Sequence, residues 1–293
     1  MSTVPFSGCR LKIERAKELL EILVCEIGTW AQSVPIGIIK EPDEVGSTHS
    51  LYVEILKQPP FTRWALIAGD CMHNLRSSLD NLVYDMAIIE TGVNPPTDAE
   101  KLQFPIVGEA GKFAGQEYRI KPLKPSTKEV IEKQQPYNHP HSDLPPILEM
   151  LNKLNNENKH RMLSVVAASP HSVSVEIENL SPTNIEAIHA IINGKTKIHS
   201  FTLDPPVPNL KYKAEAVVPI CILHDPGPSK SPLKDLPTVL NLMIEEVERI
   251  TKTLTALFED TAEFPQRTDP RLENRSATFQ IPTNSATMRM ENS

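Results

Sequence analysis

Residues 63–90, RWALIAGDCMHNLRSSLDNLVYDMAIIE, limit the fold more than any other stretch of the chain. Ala68, Met72, Leu75, Leu79, Leu82, Met86 and Ile89 step by four and three, which places them on one stripe of an α-helix. Asp70, His73, Ser77, Asp80 and Tyr84 step the same way and form a second stripe on nearly the opposite side. A wet helical face is usually built from Lys and Glu, and neither occurs between Leu66 and Ile89. The second stripe instead carries short hydrogen-bonding groups, with Arg76 beside it. Two readings follow: a partly buried polar seam that needs partners, or an unusually composed solvated face.

The helix of residues 8–33 is the internal contrast. Ile13, Ala16, Leu20, Leu23, Ile27 and Trp30 form its stripe, and Lys12, Glu14, Lys17, Glu18 and Glu21 cover the rest. Val34 to Gly46 reads as a Pro/Gly loop, residues 49–57 as a short strand, and Pro59-Pro60 leads into the central helix. Gly92 to Pro96 ends that helix, and Leu102 to Val107 is a short extended apolar piece. Ser126-x-x-Glu129 is a capping-box pattern for a short helix that stops at Pro136. From Lys112 to Lys133 six Lys/Arg stand against three Glu, a modest positive balance expected on a solvated loop and helix.

Asp143 is placed to cap a helix over 143–162 with Ile147, Leu151 and Leu154 inward. Extending that stripe by four and three reaches Asn158 and Arg161. Asn158-Lys159-His160-Arg161 therefore carries polar groups into a direction that was apolar one turn earlier. From Leu163 to Asp225 the period changes to two, and Asn193-Gly194 is a hairpin turn signal. Residues 212–223 read as one strand, with Pro219 marking an edge or a bulge. Pro226 to Pro237 reads as a linker, and 237–259 as a last amphipathic helix.

The expected fold is α+β. An antiparallel bundle of four main helices spans 8–162 and 237–259, a small antiparallel sheet is inserted over 163–225, and 265–293 is a polar, disordered tail. No stretch is long and apolar enough to span a membrane, and the N-terminus has no basic segment followed by an apolar core, so a cytoplasmic protein is expected. Cys9, Cys25, Cys71 and Cys221 form no CxxC pair; Cys25 and Cys71 are expected as small core residues. The net charge of −7 argues against broad charge-driven nucleic-acid binding, though it leaves room for a local basic pocket.

Gly69-Asp70-Cys71-Met72-His73-Asn74-Leu75-Arg76-Ser77-Ser78-Leu79-Asp80 and Asn158-Lys159-His160-Arg161 together resemble a group of bacterial and phage proteins, a resemblance that carries no activity with it. More loosely, the helical part is similar to the nucleotide-binding helical bundles of the higher eukaryotes and prokaryotes superfamily, many of which are metal-independent RNases in defence and toxin systems. That resemblance implies a nucleotide or RNA as partner in a defence or mobile-element context. The superfamily signature has a His four to six residues after an Arg; here His73 precedes Arg76 instead.

Read from the residues, His73, Arg76 and His160 have the chemistry for acid–base work on a phosphodiester, with Lys159 helping Arg76 to neutralise the developing charge. Asp70, Asn74, Ser77, Asp80, Asn158, Lys159 and Arg161 would bind or complete the seam. The other reading is a non-catalytic interaction module in which the seam fixes helix register. His139-x-His141 with Asp143, and Asp70 with His73, have metal-ligand types, but the reading assigns no metal and no cofactor. The expected partners are a nucleotide or RNA and a second copy in a homodimer, with no membrane.

Overall fold

In a computed structural model the chain is described over residues 4–33, 36–139, 146–168, 173–177, 183–187, 191–207, 212–216, 218–223 and 233–259, the segments 173–177, 183–187 and 212–216 by their backbone. The fold mixes helices and antiparallel sheets, as the α+β reading expects. Five α-helices are present among the described residues: α1 (Ser7–Gln32), α2 (Phe61–Thr91), α3 (Pro125–Lys133), α4 (Ile147–His160) and α5 (Leu236–Thr255).

α2 is the central element. It packs against α1, α4 and α5, and α5 also touches α1 and α4. Its stripe is buried as the spacing requires: Ala68, Met72, Leu75, Leu79, Leu82 and Met86 have no exposed surface, and Ile89 packs against the core. Trp64, Ile67, Cys71, Val83 and Ala87 are buried as well, so α2 is covered over much more than one stripe. Burying each large apolar side chain contributes about 1.5–3 kcal/mol. Gly92 ends the helix at φ 70°, where its N–H donates to Ile88 O, a left-handed stop that glycine adopts without a Cβ clash.

Several local expectations are corrected. Residues 36–42, expected as loop, form β1 (Ile36–Pro42), which pairs antiparallel with β2 (Thr48–Ile55). β1 is an edge strand, the position in a sheet that tolerates Pro42. The other strands are β3 (Val165–Ala167), β4 (Val173–Ile177), β5 (Thr183–Ala187), β6 (Thr196–Thr202), β7 (Tyr212–Ala216), β8 (Ile220–Leu223) and β9 (Leu233–Asp235). They form sheets ordered β1-β2-β6-β5, β3-β8-β9 and β4-β7. The sheet expected within 163–225 thus takes two of its strands from 36–55. The single strand expected over 212–223 is two strands in different sheets, because the chain breaks pairing before Ile220, at Pro219. β9 lies in the expected linker, where its pairing with β8 gives it a partner.

β5 and β6 are antiparallel neighbours, and Gly194 has φ 64°, but the return is longer than a two-residue turn. Ile191 bridges Ala168 and Ile192 N–H donates to Ala167 O, so the chain visits β3 on the way.

At α3 the capping box is not used. Ser126 lies inside the helix and Glu129 pairs with Lys133 at 2.8 Å. The start is held by Glu90 at the end of α2, which accepts from Lys124 N and Thr127 Oγ1, both at 2.5 Å. Cys71 is buried but Cys25 is exposed, because two residues past Leu23 is ~200° around α1, on its wet side. The last helix, expected over 237–259, ends at Thr255, and Leu257 is 47% exposed in the turn beyond it. Asp143, the expected cap of α4, and the 265–293 tail lie outside the described residues.

A polar cavity between the second and fourth helices

Arg76 and Asp80 stand one turn apart on the flank of α2 that faces residues 102–107. Phe104 buries its ring completely, and its main chain is gripped from both sides. Its N–H donates to Asp80 Oδ1 at 2.9 Å, and its carbonyl accepts from Arg76 Nη2 at 2.8 Å. Gln135, wholly buried, does the same one step further on: its Oε1 accepts from Val107 N and its Nε2 donates to Pro105 O, both at 3.0 Å. Residues 102–107 are therefore extended without being a ladder strand. Side chains of α2 and of the turn after α3 satisfy the backbone that a neighbouring strand would otherwise satisfy.

Arg76 Nη1 lies 2.9 Å from Asp80 Oδ1, as an ion pair without hydrogen-bond alignment. The pair is unevenly buried, with 9% of the Arg76 side chain exposed and 30% of Asp80. Burial pushes the Asp80 carboxyl above its ordinary range, opposed by Arg76, by the Phe104 N–H and by the charges of Lys159 and Arg119. Burial likewise lowers Arg76, with Asp80 pulling the other way and Arg119 adding repulsion.

In front of this pair is a partly open cavity of about 290 Å³. α2 supplies Arg76 and Asp80, α4 supplies Asn152, Asn156 and Lys159, and the segment between supplies Gln103, Gln116 and Arg119 over a small apolar floor of Ile106 and Val107. Lys159 Nζ donates to Asn156 Oδ1 at 3.3 Å, and Arg119 binds Gln103 Oε1 and the Tyr118 hydroxyl. All these acceptors are neutral. Three cations thus face one carboxylate, and that carboxylate is already engaged by Arg76.

A second, more open cavity of about 600 Å³ adjoins the first along α4 and shares Ile106, Asn152 and Asn156 with it. His160 and Arg161 line this outer trough. Arg161 has left the helix into an extended conformation and pairs with Glu157 at 3.3 Å.

Of the residues singled out in the sequence, Arg76, Asp80 and Lys159 meet at the inner cavity. Asn158 packs on α2 at Gly69, where an added Cβ would lie 2.5 Å from its amide atoms. His160 and Arg161 face the trough, and His73 lines neither cavity. His73 is exposed, with Nε2 3.4 Å from Ser77 Oγ, and Asn74 Nδ2 donates back to Asp70 O at 2.8 Å. Asp70, His73, Asn74 and Ser77 therefore interact along their own helix. The reason is local: segment 102–107 covers only the Arg76–Asp80 turn of the polar stripe. Gln103, Gln116, Arg119, Asn152 and Asn156 carry no sequence signal strong enough to single them out. Arg119 does lie in the positive stretch 112–133.

Among the described residues no group of three His, Cys, Asp or Glu is placed to hold a metal ion; His141 and Asp143 lie outside them. No helix among them is long and apolar enough to cross a membrane. Comparison with protein-family models, with curated proteins and with solved structures finds no match to this chain.

Proposed function

We propose that this chain binds a nucleotide or an RNA, with a phosphate held in the inner cavity. The observation that carries the reading is the charge around that cavity: Arg76, Arg119 and Lys159 against Asp80 alone. Charged and amide donors in a partly sheltered site bind an anion more strongly than the same groups fully in water, because the surroundings screen them less. The overall charge of −7 confines this attraction to a local pocket rather than a broad basic surface. In this reading the helices act as a four-membered antiparallel bundle that holds the two motifs opposite one another. The protein would work in the cytoplasm of a bacterium or its phage, in the defence or mobile-element setting that the motif resemblance implies.

Binding is favoured over metal-independent RNA cleavage. Acid–base cleavage needs two groups at the reacting phosphate, and neither His73 nor His160 lines the inner cavity. The test is calorimetric titration of the full chain with AMP at low salt. Saturable binding that weakens at least tenfold in Arg119→Gln and Lys159→Gln supports the reading. Unchanged affinity in both variants contradicts it.

A second reading rests on Phe104. Arg76 and Asp80 together satisfy both of its backbone groups, which a purely structural seam would also do. On that reading AMP does not bind at all, and Asp80→Ala loosens residues 102–107 without affecting any ligand.

A further inference from the structure

We infer that the inner cavity selects a phosphate monoester, the terminal phosphate of a nucleotide or of an RNA end, over an internal phosphodiester. The inference rests on the binding reading above and adds which phosphate is recognised.

The first argument is charge. Arg76 is neutralised by Asp80 at 2.9 Å. Arg119 and Lys159 contact only neutral groups, so two positive charges remain without a carboxylate partner among the described residues. A phosphate monoester carries about −1.5 to −2 at neutral pH and offers three terminal oxygens. An internal diester carries a single charge and two such oxygens. The monoester balances both cations in charge, whereas one diester balances only one of them.

The second argument is shape. A volume of about 290 Å³ sits at the low end of ligand sites and has room for a phosphate together with the sugar it esterifies. A diester within a strand must leave its site in two directions. This cavity adjoins one wide trough, across Asn152 and Asn156. A terminal phosphate seated in the cavity would place its single nucleoside along that trough. His160 and Arg161 offer planar groups there, of the kind that stack on bases.

The experiment uses the full chain and three ten-nucleotide RNAs of one sequence, each labelled on the same internal base. One carries a 5′-phosphate, one a 3′-phosphate, and one has hydroxyls at both ends. Fluorescence polarisation at low salt should show at least one phosphorylated end binding tenfold or more tighter than the hydroxyl-ended RNA. Lys159→Gln and Arg119→Gln should remove that preference. Lys159 is exposed, so its variant tests the cavity without risk to the fold. Equal binding of all three RNAs by the wild-type chain overturns the monoester preference and leaves RNA binding standing. Binding of none overturns the selection of RNA ends, and failure to bind AMP as well overturns the binding reading.

Discussion

Asn158 of α4 occupies the space that a β-carbon on Gly69 of α2 would need, with both amide atoms 2.5 Å from that position. The two polar motifs, about ninety residues apart in sequence, thus touch where α2 and α4 pack together. Alanine at an open helical position gains ~1 kcal/mol over glycine. Gly69→Ala should forfeit that gain, and Gly69→Ala with Asn158→Ala should recover it. A double-mutant cycle in denaturant melts should give a coupling above ~0.5 kcal/mol. Independent effects would mean that the helices do not meet at this pair.

Arg76 and Asp80 should matter for stability as well as for binding. Asp80→Ala removes the partner of a buried guanidinium and the acceptor of Phe104 N–H. Breaking a wholly buried pair costs ~3–5 kcal/mol; with 30% of Asp80 in solvent, about 2–3 kcal/mol is expected here. Asp80→Asn keeps an acceptor for Phe104 and should cost less. Equal losses for the two variants in urea melts would show that the Phe104 bond contributes nothing.

Asp85 gives a pH signature. It accepts the Phe6 N–H at 3.0 Å at the start of α1, and burial pushes its carboxyl up to about 6. In the unfolded chain an aspartate titrates near ~3.9, so the folded state holds the proton to higher pH. Its contribution is therefore greatest below the unfolded value and is lost as pH rises through about 6. Relative to Asp85→Asn, the wild-type chain should lose stability between pH 4 and pH 7. A difference in urea midpoint that stays flat over that range would contradict the assignment.

Leu79 tests the core. It has no exposed surface on α2, and Leu79→Ala should cost about 2–5 kcal/mol as an unfilled core truncation. A loss under half a kcal/mol would place the buried face elsewhere.

Legibility followed the range of the interactions. The apolar stripe of α2 was readable because a helix with one buried face must repeat its apolar residues at helical spacing, and Leu75, Leu79 and Leu82 do. β1 was hidden by Gly37 and Pro42, which read as loop residues until β2 supplies a ladder. Arg76 and Asp80 stood out because a helix face without Lys or Glu is unusual. The exposure of Asp70 and His73 on the same stripe depends on how little of α2 the segment 102–107 covers, and no spacing rule reports that. Arg119, Gln103 and Asn156 look like ordinary surface residues in sequence. Only the packing of α4 and the 102–119 segment against α2 turns them into walls of one cavity.

The most direct measurement is a crystal structure of the full chain grown with saturating AMP. Phosphorus density is expected in the inner cavity between Arg119 and Lys159, with the adenosine along the trough beside His160. A phosphate seated only elsewhere on the surface, or a cavity holding solvent alone at saturating AMP, would contradict it.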